Sequence, residues 1–374
     1  MSDSRHLQLD QIQKELKLSK PISPEEELFQ YLEIVVINNP PAPSKHGGFW
    51  LGSAGLAYLF FQVMKEFPSL KIRGEEPNHW CSQYLINAKP DEDDVSPGRC
   101  GQSSSMLAYL AVGAAYTKDM RFVERFARYL PIITANDSHA SDEWWNGKAG
   151  ALAMARIICE NVPGSEKVLE PFGKDVIKAI LKDGPPWEWH GKEYLGPAHG
   201  EIGVLTQIIL WDPGYAGKME SYLSEMLSIQ VDDGNWPSSL PGGRTKLVQF
   251  CHGAGGWVIS LLALRPFFPN LHNQIDQAVS KGRGCILKNG LLRKIPNLCH
   301  GIAGNALALL PEQRDVFLQL CTLEIYQRGI KEGWFTEDAS YGEKYSLGTG
   351  LGGIAWLWAS VCSGGRIRGI PGYT

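Results

Sequence analysis

Apolar residues in this 374-residue chain fall into short dense blocks, and each block follows a pair of small residues at a near-constant spacing. Gly52-Ser-Ala-Gly55 precedes the apolar run 56–63, Gly147-Lys-Ala-Gly150 the run 151–159, and Gly200-Glu-Ile-Gly203 the run 204–211. The same order holds at Gly253-Ala-Gly-Gly256, Gly301-Ile-Ala-Gly304 and Gly350-Leu-Gly-Gly353, while Gly101-Gln-Ser-Ser104 is a copy with Ser in the second glycine's place. First glycines are separated by 49, 46, 53, 53, 48 and 49 residues. An internal period this regular marks a repeat architecture.

The blocks are apolar almost all round, as in residues 205–211 and 302–310, and a helix apolar on every side must be buried on every side. Between them lie stretches such as 121–130, whose mixed polarity at helical spacing predicts one buried and one solvated face. Seven alternations of buried and amphipathic helix predict an all-α fold, an α/α toroid with seven inner helices wrapped by seven outer ones. Strand signals are limited to short pieces such as residues 246–250. Residues 1–40 read as an N-terminal helical extension and residues 41–374 as a single toroid domain. The glycine pairs read first as points of close backbone approach at helix starts. Inner helices that run the same way bring seven N-termini to one end of the ring, each with unpaired N–H groups and about half a positive charge. That end favours thiolate, enolate or carboxylate groups.

Composition narrows the partners. A formal charge of −4 and a pI near 6.2 leave no electrostatic footprint for nucleic acid. The run Asp91-Glu92-Asp93-Asp94 reads as a solvated loop. Residues 1–20 are polar, without the apolar core of a signal peptide, and no stretch approaches the roughly 20 apolar residues that span a bilayer. The expectation is a cytoplasmic protein. Its eight cysteines are then thiols, some of them metal-bound, rather than a disulfide framework.

The candidate chemistry sits immediately before the glycine pairs. Phe250-Cys251-His252-Gly253 and Leu298-Cys299-His300-Gly301 repeat one text, with each cysteine two residues ahead of its first glycine. Two inner helices adjacent in a ring would bring Cys251 and Cys299 together. A disulfide between them is geometrically open, but His300 beside Cys299 and a reducing compartment favour zinc. Cys251, Cys299 and His300 would supply the three ligands of a catalytic site, leaving the fourth position for water or substrate. Cys81, Cys100, Cys159, Cys285, Cys321 and Cys362 have no such partner and read as small buried hydrophobes or unpaired thiols. His199, His252 and His300 all directly precede a first glycine, and spacing alone does not separate their roles. His199 follows Ala198 rather than a cysteine and is the better general acid/base, with His252 the weaker one. Glu143, four residues before Gly147, and Lys294, five before Cys299, point toward the same end.

The seven glycine repeats, the paired Cys-His-Gly motifs and Pro197-Ala198-His199-Gly200 resemble the LanC-like proteins, eukaryotic relatives of the bacterial lanthionine cyclases. The resemblance runs from about Gly48 to the end of the chain. It implies zinc, one ion per chain, on Cys251, Cys299 and His300, activating a thiol that adds to the β-carbon of dehydroalanine or dehydrobutyrine. It also implies glutathione as the thiol, with peptides or proteins carrying dehydroamino acids or phosphorylated residues as the other partner. It gives His199 the proton at the enolate stage, Glu143 a supporting acidic position, and Lys294 a role with glutathione and departing phosphate. Bacterial cyclases carry an arginine four residues before the first zinc cysteine, where this chain has Leu247. The loop that carries an Arg–Asp glutathione contact in animal members reads Ala339-Ser340-Tyr341-Gly342 here. A zinc- or glutathione-binding regulatory protein without turnover is the alternative. Prenyltransferase or glycosidase toroids would need an aspartate zinc ligand or two facing carboxylates, which a Cys-Cys-His set does not provide.

Overall fold

The computed structural model describes residues 5–43, 47–336 and 344–374. Seven helices follow the seven small-residue pairs: α1 Ser53–Glu66, α2 Ser105–Thr117, α3 Lys148–Asn161, α4 Glu201–Trp211, α5 Ala254–Leu264, α6 Ile302–Ala308 and α7 Leu351–Cys362. Each packs on the next, and α7 packs on α1, so the inner ring closes. Nearly every side chain on these helices is buried, as their all-round apolar character requires. Outer helices cover them: Pro77–Asn87 lies on α1, Met120–Ala127 on α2, Glu166–Asp183 on α3, His272–Asn289 on α5 and Asp315–Leu320 on α6. Ala216–Ser228 continues from α4 through a short 3₁₀ turn and packs on His272–Asn289. Helix Pro24–Asn38, from the N-terminal stretch, packs on α7 and fills the outer position there. The fold is the expected α/α toroid.

The glycine pairs act by size. Six of the seven inner helices have the first glycine of the pair as N-cap. A Cβ on the second glycine would strike the carbonyl oxygen six residues earlier: 1.9 Å for Gly55 on Phe49, 2.1 Å for Gly150 on Trp144, 2.0 Å for Gly203 on Pro197, 2.0 Å for Gly256 on Phe250 and 2.0 Å for Gly304 on Leu298. The loop before each helix therefore folds flat onto the helix's first turn. In the second repeat Ser104 takes over as N-cap, accepting from the Leu107 N–H at 3.2 Å. Asp94 accepts from the Ser105 and Met106 N–H groups of the same turn, so the end of the acidic run is a helix cap rather than a solvated loop.

The flattened loops join one another around the rim. Phe49 N–H donates to Gln102 O, Ser103 to Trp145, Trp145 to Ala198, Cys251 to Cys299, Cys299 to Gly348 and Gly348 to Trp50, at 2.8–3.1 Å. Each repeat donates to its successor. Among the described residues the fourth-to-fifth junction lacks this bond, and a two-stranded antiparallel sheet, β1 Glu193–Tyr194 with β2 Ser239–Leu240, bridges it instead, extended by Leu195 N–H to Ser238 O at 3.1 Å. Residues 246–250, the expected strand candidate, are irregular; Gln249 O accepts from the Gly256 N–H at the start of α5, and the Leu247 and Val248 carbonyls accept from Asn235 and Asn305.

The toroid axis is filled from the opposite side by the 366–374 segment. Tyr373 packs edge-on against Trp144 and Phe250, its carbonyl accepts from Arg156 and Gln207, and its hydroxyl meets Ser260 Oγ at 2.6 Å. Trp50 stacks on Phe250 from the other flank. No helix among the described residues is long and apolar enough to cross a membrane. At the start of α4, buried Glu201 accepts from the Trp187 N–H at 2.7 Å and from the Tyr222 hydroxyl in a short hydrogen bond. Burial pushes its carboxyl up to about 8.

Two predictions follow from these contacts. Gly304→Ala or Gly203→Ala should cost roughly 3 kcal/mol or more in thermal or denaturant unfolding, because the new methyl meets backbone rather than a movable side chain. Gly217→Ala, in open space on an exposed helix, should be neutral or stabilising by about 0.4–1 kcal/mol. Glu201 keeps its proton in the folded chain over a range where the unfolded chain has lost it. Stability should therefore fall as pH rises from about 5 to 8, by on the order of 1–3 kcal/mol, and Glu201→Gln should flatten that decline in urea titrations at the two pH values.

Candidate metal centre

Cys251, Cys299 and His300 are delivered by the fifth and sixth rim loops, which the Cys251 N–H to Cys299 O bond of 3.1 Å sets side by side. Their ligand atoms all lie within 4.8 Å of one another, the one His/Cys/Asp/Glu cluster of this kind among the described residues. The Asn297 side chain accepts from the His300 backbone N–H at 2.9 Å and anchors its loop. The Gln249 amide donates to Cys251 Sγ at 3.0 Å. A tetrahedral zinc with Zn–S near 2.3 Å and Zn–N near 2.0 Å separates its ligand atoms by about 3.5–3.8 Å. Two thiols and an imidazole already gathered within 4.8 Å fit that demand after small side-chain motions.

The electrostatics single out the same pair. Burial pushes Cys81, Cys100, Cys285 and Cys362 up to about 11–12 and raises Cys159 and Cys321 as well. Cys251 moves the other way. The Cys299 thiol donates to it and holds it well below the ordinary thiol range, and His300 adds a second hydrogen bond against the opposing burial. Cys299 is correspondingly held well above that range, because its proton is shared with Cys251. Both are free cysteines. A metal ion would release that shared proton and replace it at the same place.

A cavity of about 490 Å³ opens over these three residues. His199 and His252 stand on its wall, their rings 6.2 Å apart. His199 Nδ1 lies 3.2 Å from Glu143 Oε2. Glu143 is buried behind it and accepts from the Trp145 and Asn146 N–H groups and from Ser141 Oγ. Glu143 does not line the cavity, so it acts on the cavity through His199. With Nδ1–H directed at the carboxylate, Nε2 is the nitrogen left to exchange a proton with a bound molecule. His252 is half-buried, desolvation lowers its pKa, and among the described residues its Nδ1 has no hydrogen-bond partner. Lys294 lies on the wall together with two cations that the sequence did not single out, Arg5 and Arg244.

The geometry can therefore hold a soft metal, present a thiol to it, supply a proton from one side and receive an anionic group at the rim. A model of the lanthionine synthetase C-like proteins matches residues 49–373. The chain belongs to that family. It is 25% identical to glutathione S-transferase LANCL1 of Danio rerio over 66% of this chain and 65% of that protein, and 29% identical to LanC-like protein GCL1 of Arabidopsis thaliana over 61% and 56%. The matches thus span somewhat under two thirds of these relatives' lengths. Nisin cyclase superposes with a TM-score of 0.57 over 96% of both chains at 12% identity, a likeness of fold.

This LanC-like site differs in detail from the sequence expectations. Leu247, where bacterial cyclases carry arginine, does reach the cavity wall, and Arg244 three residues earlier puts a guanidinium on the same wall. Arg5 arrives from the N-terminal stretch, which pairs with the chain beside Lys294: Leu7 N–H donates to Leu291 O and Arg293 N–H to Arg5 O. Neither arginine occupies a repeat position, so periodicity could not find them. Residues 339–342 lie outside the described residues.

Metal analysis of the purified protein should give one zinc per chain, and Cys299→Ala should lose it, since two remaining ligands do not close a shell. Stoichiometric zinc in that variant would remove the assignment.

Proposed function

We propose that this LanC-like protein is a zinc-dependent enzyme that adds a thiol, glutathione in the first place, to dehydroalanine or dehydrobutyrine residues of peptides and proteins. The observation that carries this reading is the Cys251–Cys299–His300 cluster on the wall of a cavity that His199, backed by Glu143, also lines. The name of the Danio rerio relative, a glutathione S-transferase, supports glutathione as the thiol.

A thiol with pKa near 8.5 is mostly protonated at neutral pH and a weak nucleophile; zinc on the three ligands would supply it deprotonated and in place. Addition forms one C–S bond at the β-carbon, moves the Cα=Cβ electrons toward the carbonyl oxygen, and leaves an enolate that needs one proton at the α-carbon. His199 would give that proton from Nε2, with the Glu143 carboxylate, 3.2 Å from Nδ1, stabilising the imidazolium before transfer. Lys294, Arg5 and Arg244 and the N-terminal ends of α4, α5 and α6 make the surroundings favourable for the enolate and for a carboxylate on the thiol. Where a phosphorylated Ser or Thr is the starting residue, the α-proton goes to His199 as the Cβ–O bond breaks, and the same cations take the departing phosphate. The apolar wall at Leu51 and Trp145 excludes water from the reacting carbons.

His199→Ala should keep zinc and thiol binding and slow addition to a dehydroalanine peptide by roughly two to four orders of magnitude, measured by mass spectrometry of the thioether product. Wild-type rates in that variant would make His199 structural and pass the proton to His252 or water. Stoichiometric zinc and saturable glutathione binding with no product in the unmodified protein would favour the regulatory reading over the enzyme.

A further inference from the structure

The hairpin at the fourth-to-fifth junction carries a residue that none of the expected roles uses. Trp189 and Lys192 pair across a two-residue turn, Trp189 N–H to Lys192 O at 2.9 Å and Lys192 N–H to Trp189 O at 3.2 Å. The two turn residues, His190 and Gly191, both have positive φ, 50° and 68°, as the tight turns that match strand twist require. The turn lays the Trp189 indole flat on the His199 ring, with centroids 4.2 Å apart and planes 6° from parallel. The strands that follow hold the hairpin to the fifth repeat, and the Trp187 N–H bond to Glu201 holds its other end to α4. Trp189 does not line the cavity.

His199 is otherwise held by one hydrogen bond, Nδ1 against Glu143, while Tyr194 and His252 meet its ring only at an angle, with centroids 6.4 and 6.2 Å away. A single hydrogen bond leaves the ring free to swing about that contact, because the second side-chain torsion of histidine is broad. A flat aromatic face at van der Waals distance removes that freedom. We propose that Trp189 is a positioning residue for His199: stacking, together with the Glu143 bond, holds the imidazole in the plane from which it serves the cavity. This rests on the role proposed for His199 above. The turn, the sheet and the Glu201 anchor then share one purpose, which is to hold a surface tryptophan over a catalytic imidazole.

The test compares Trp189→Leu, which keeps an apolar side chain without a flat face, with Trp189→Phe, which keeps the face. With glutathione and a dehydroalanine peptide, Trp189→Leu should lower kcat roughly 10- to 100-fold, as misplacement of a catalytic group does. KM for both substrates and the zinc content should be unchanged, and Trp189→Phe should recover to within a few-fold of the unmodified enzyme. Wild-type kcat in Trp189→Leu, an effect confined to KM, or a Phe variant as slow as the Leu variant would each overturn the proposal. Gly191→Val, which strains the turn at its positive φ with Trp189 retained, is the second variant should Trp189→Leu not fold; it should show the same loss of kcat, and wild-type kcat there overturns the proposal. The second readout needs no activity. Diethylpyrocarbonate should modify His199 several-fold faster in Trp189→Leu than in the unmodified protein, as followed by peptide mass spectrometry, and equal rates overturn the stacking role. Absence of thioether product from the unmodified protein would defeat the proposed function and leave this second readout to decide on Trp189.

Discussion

The structure depends on peptide groups meeting peptide groups where side chains would be in the way. Around the rim, six of seven repeat junctions are closed by an N–H of one loop donating to a carbonyl of the next. The loops reach each other because each lies flat on its own helix start, and they lie flat because the second position of most pairs is glycine, with a carbonyl oxygen about 2 Å from where a Cβ would stand. Buried peptide groups left unpaired cost more than paired ones gain, so a ring that pairs them in register resists sliding of any one repeat. Cys251 and Cys299 donate within this ring. The backbone positions from which the two thiols project are therefore set by the rim itself.

The His199 side of the site lies where that ring is interrupted. His199 belongs to the fourth loop and Cys251 to the fifth, and among the described residues the rim hydrogen bond is missing between them. The small sheet spans this seam farther out, between residues 193–195 and 238–240. The two loops still touch at the seam, where a Cβ on Gly196 would lie 2.3 Å from Cys251 O, and His199 and His252 face the cavity from either side of it. The same outward connection carries Arg244 on one arm and Trp189 on the other. Beneath, Phe250 rests on Trp50, Trp144 and Tyr373, so the ligand loop stands on a packed aromatic column.

Much of this was legible in the sequence because repetition turns weak local signals into a strong one. One glycine pair means little; seven at steps of 46 to 53 residues specify the inner ring, and the contacts close it in that order. The gathering of Cys251, Cys299 and His300 was legible for the same reason, as the two cysteines share a repeat position. What escaped lies off the period. Arg5, Arg244 and Trp189 reach the site or its edge through loop pairings that leave no periodic trace, and Gln249 meets Cys251 through a turn only two residues long. Asp94 looked like one charge in an acidic run, yet it caps a buried helix start, a role visible only once Ser105 and Met106 are seen to need acceptors. Residues 246–250 carry only a weak strand signal, and they form no strand: the Leu247 and Val248 carbonyls accept from the Asn235 and Asn305 side chains instead of a neighbouring strand.

The distribution of charge follows from the chemistry proposed for the site. Two thiolates and a neutral imidazole cancel a divalent ion, so a third thiolate would leave the centre with one excess negative charge, which keeps sulfur reactive. An anion of that kind in an apolar pocket is costly unless dipoles and cations meet it. Here the Gln249 amide donates to Cys251 Sγ, inner-helix N-termini point at the rim, and Lys294, Arg5 and Arg244 stand on the cavity wall with the three candidate ligands. The Lys294 charge favours the thiolate form of Cys299, so the cations lower the cost of the negative charge while the amide donates to sulfur directly. Dipole and cation together make an anionic nucleophile tolerable in a site that must both hold it and let it react.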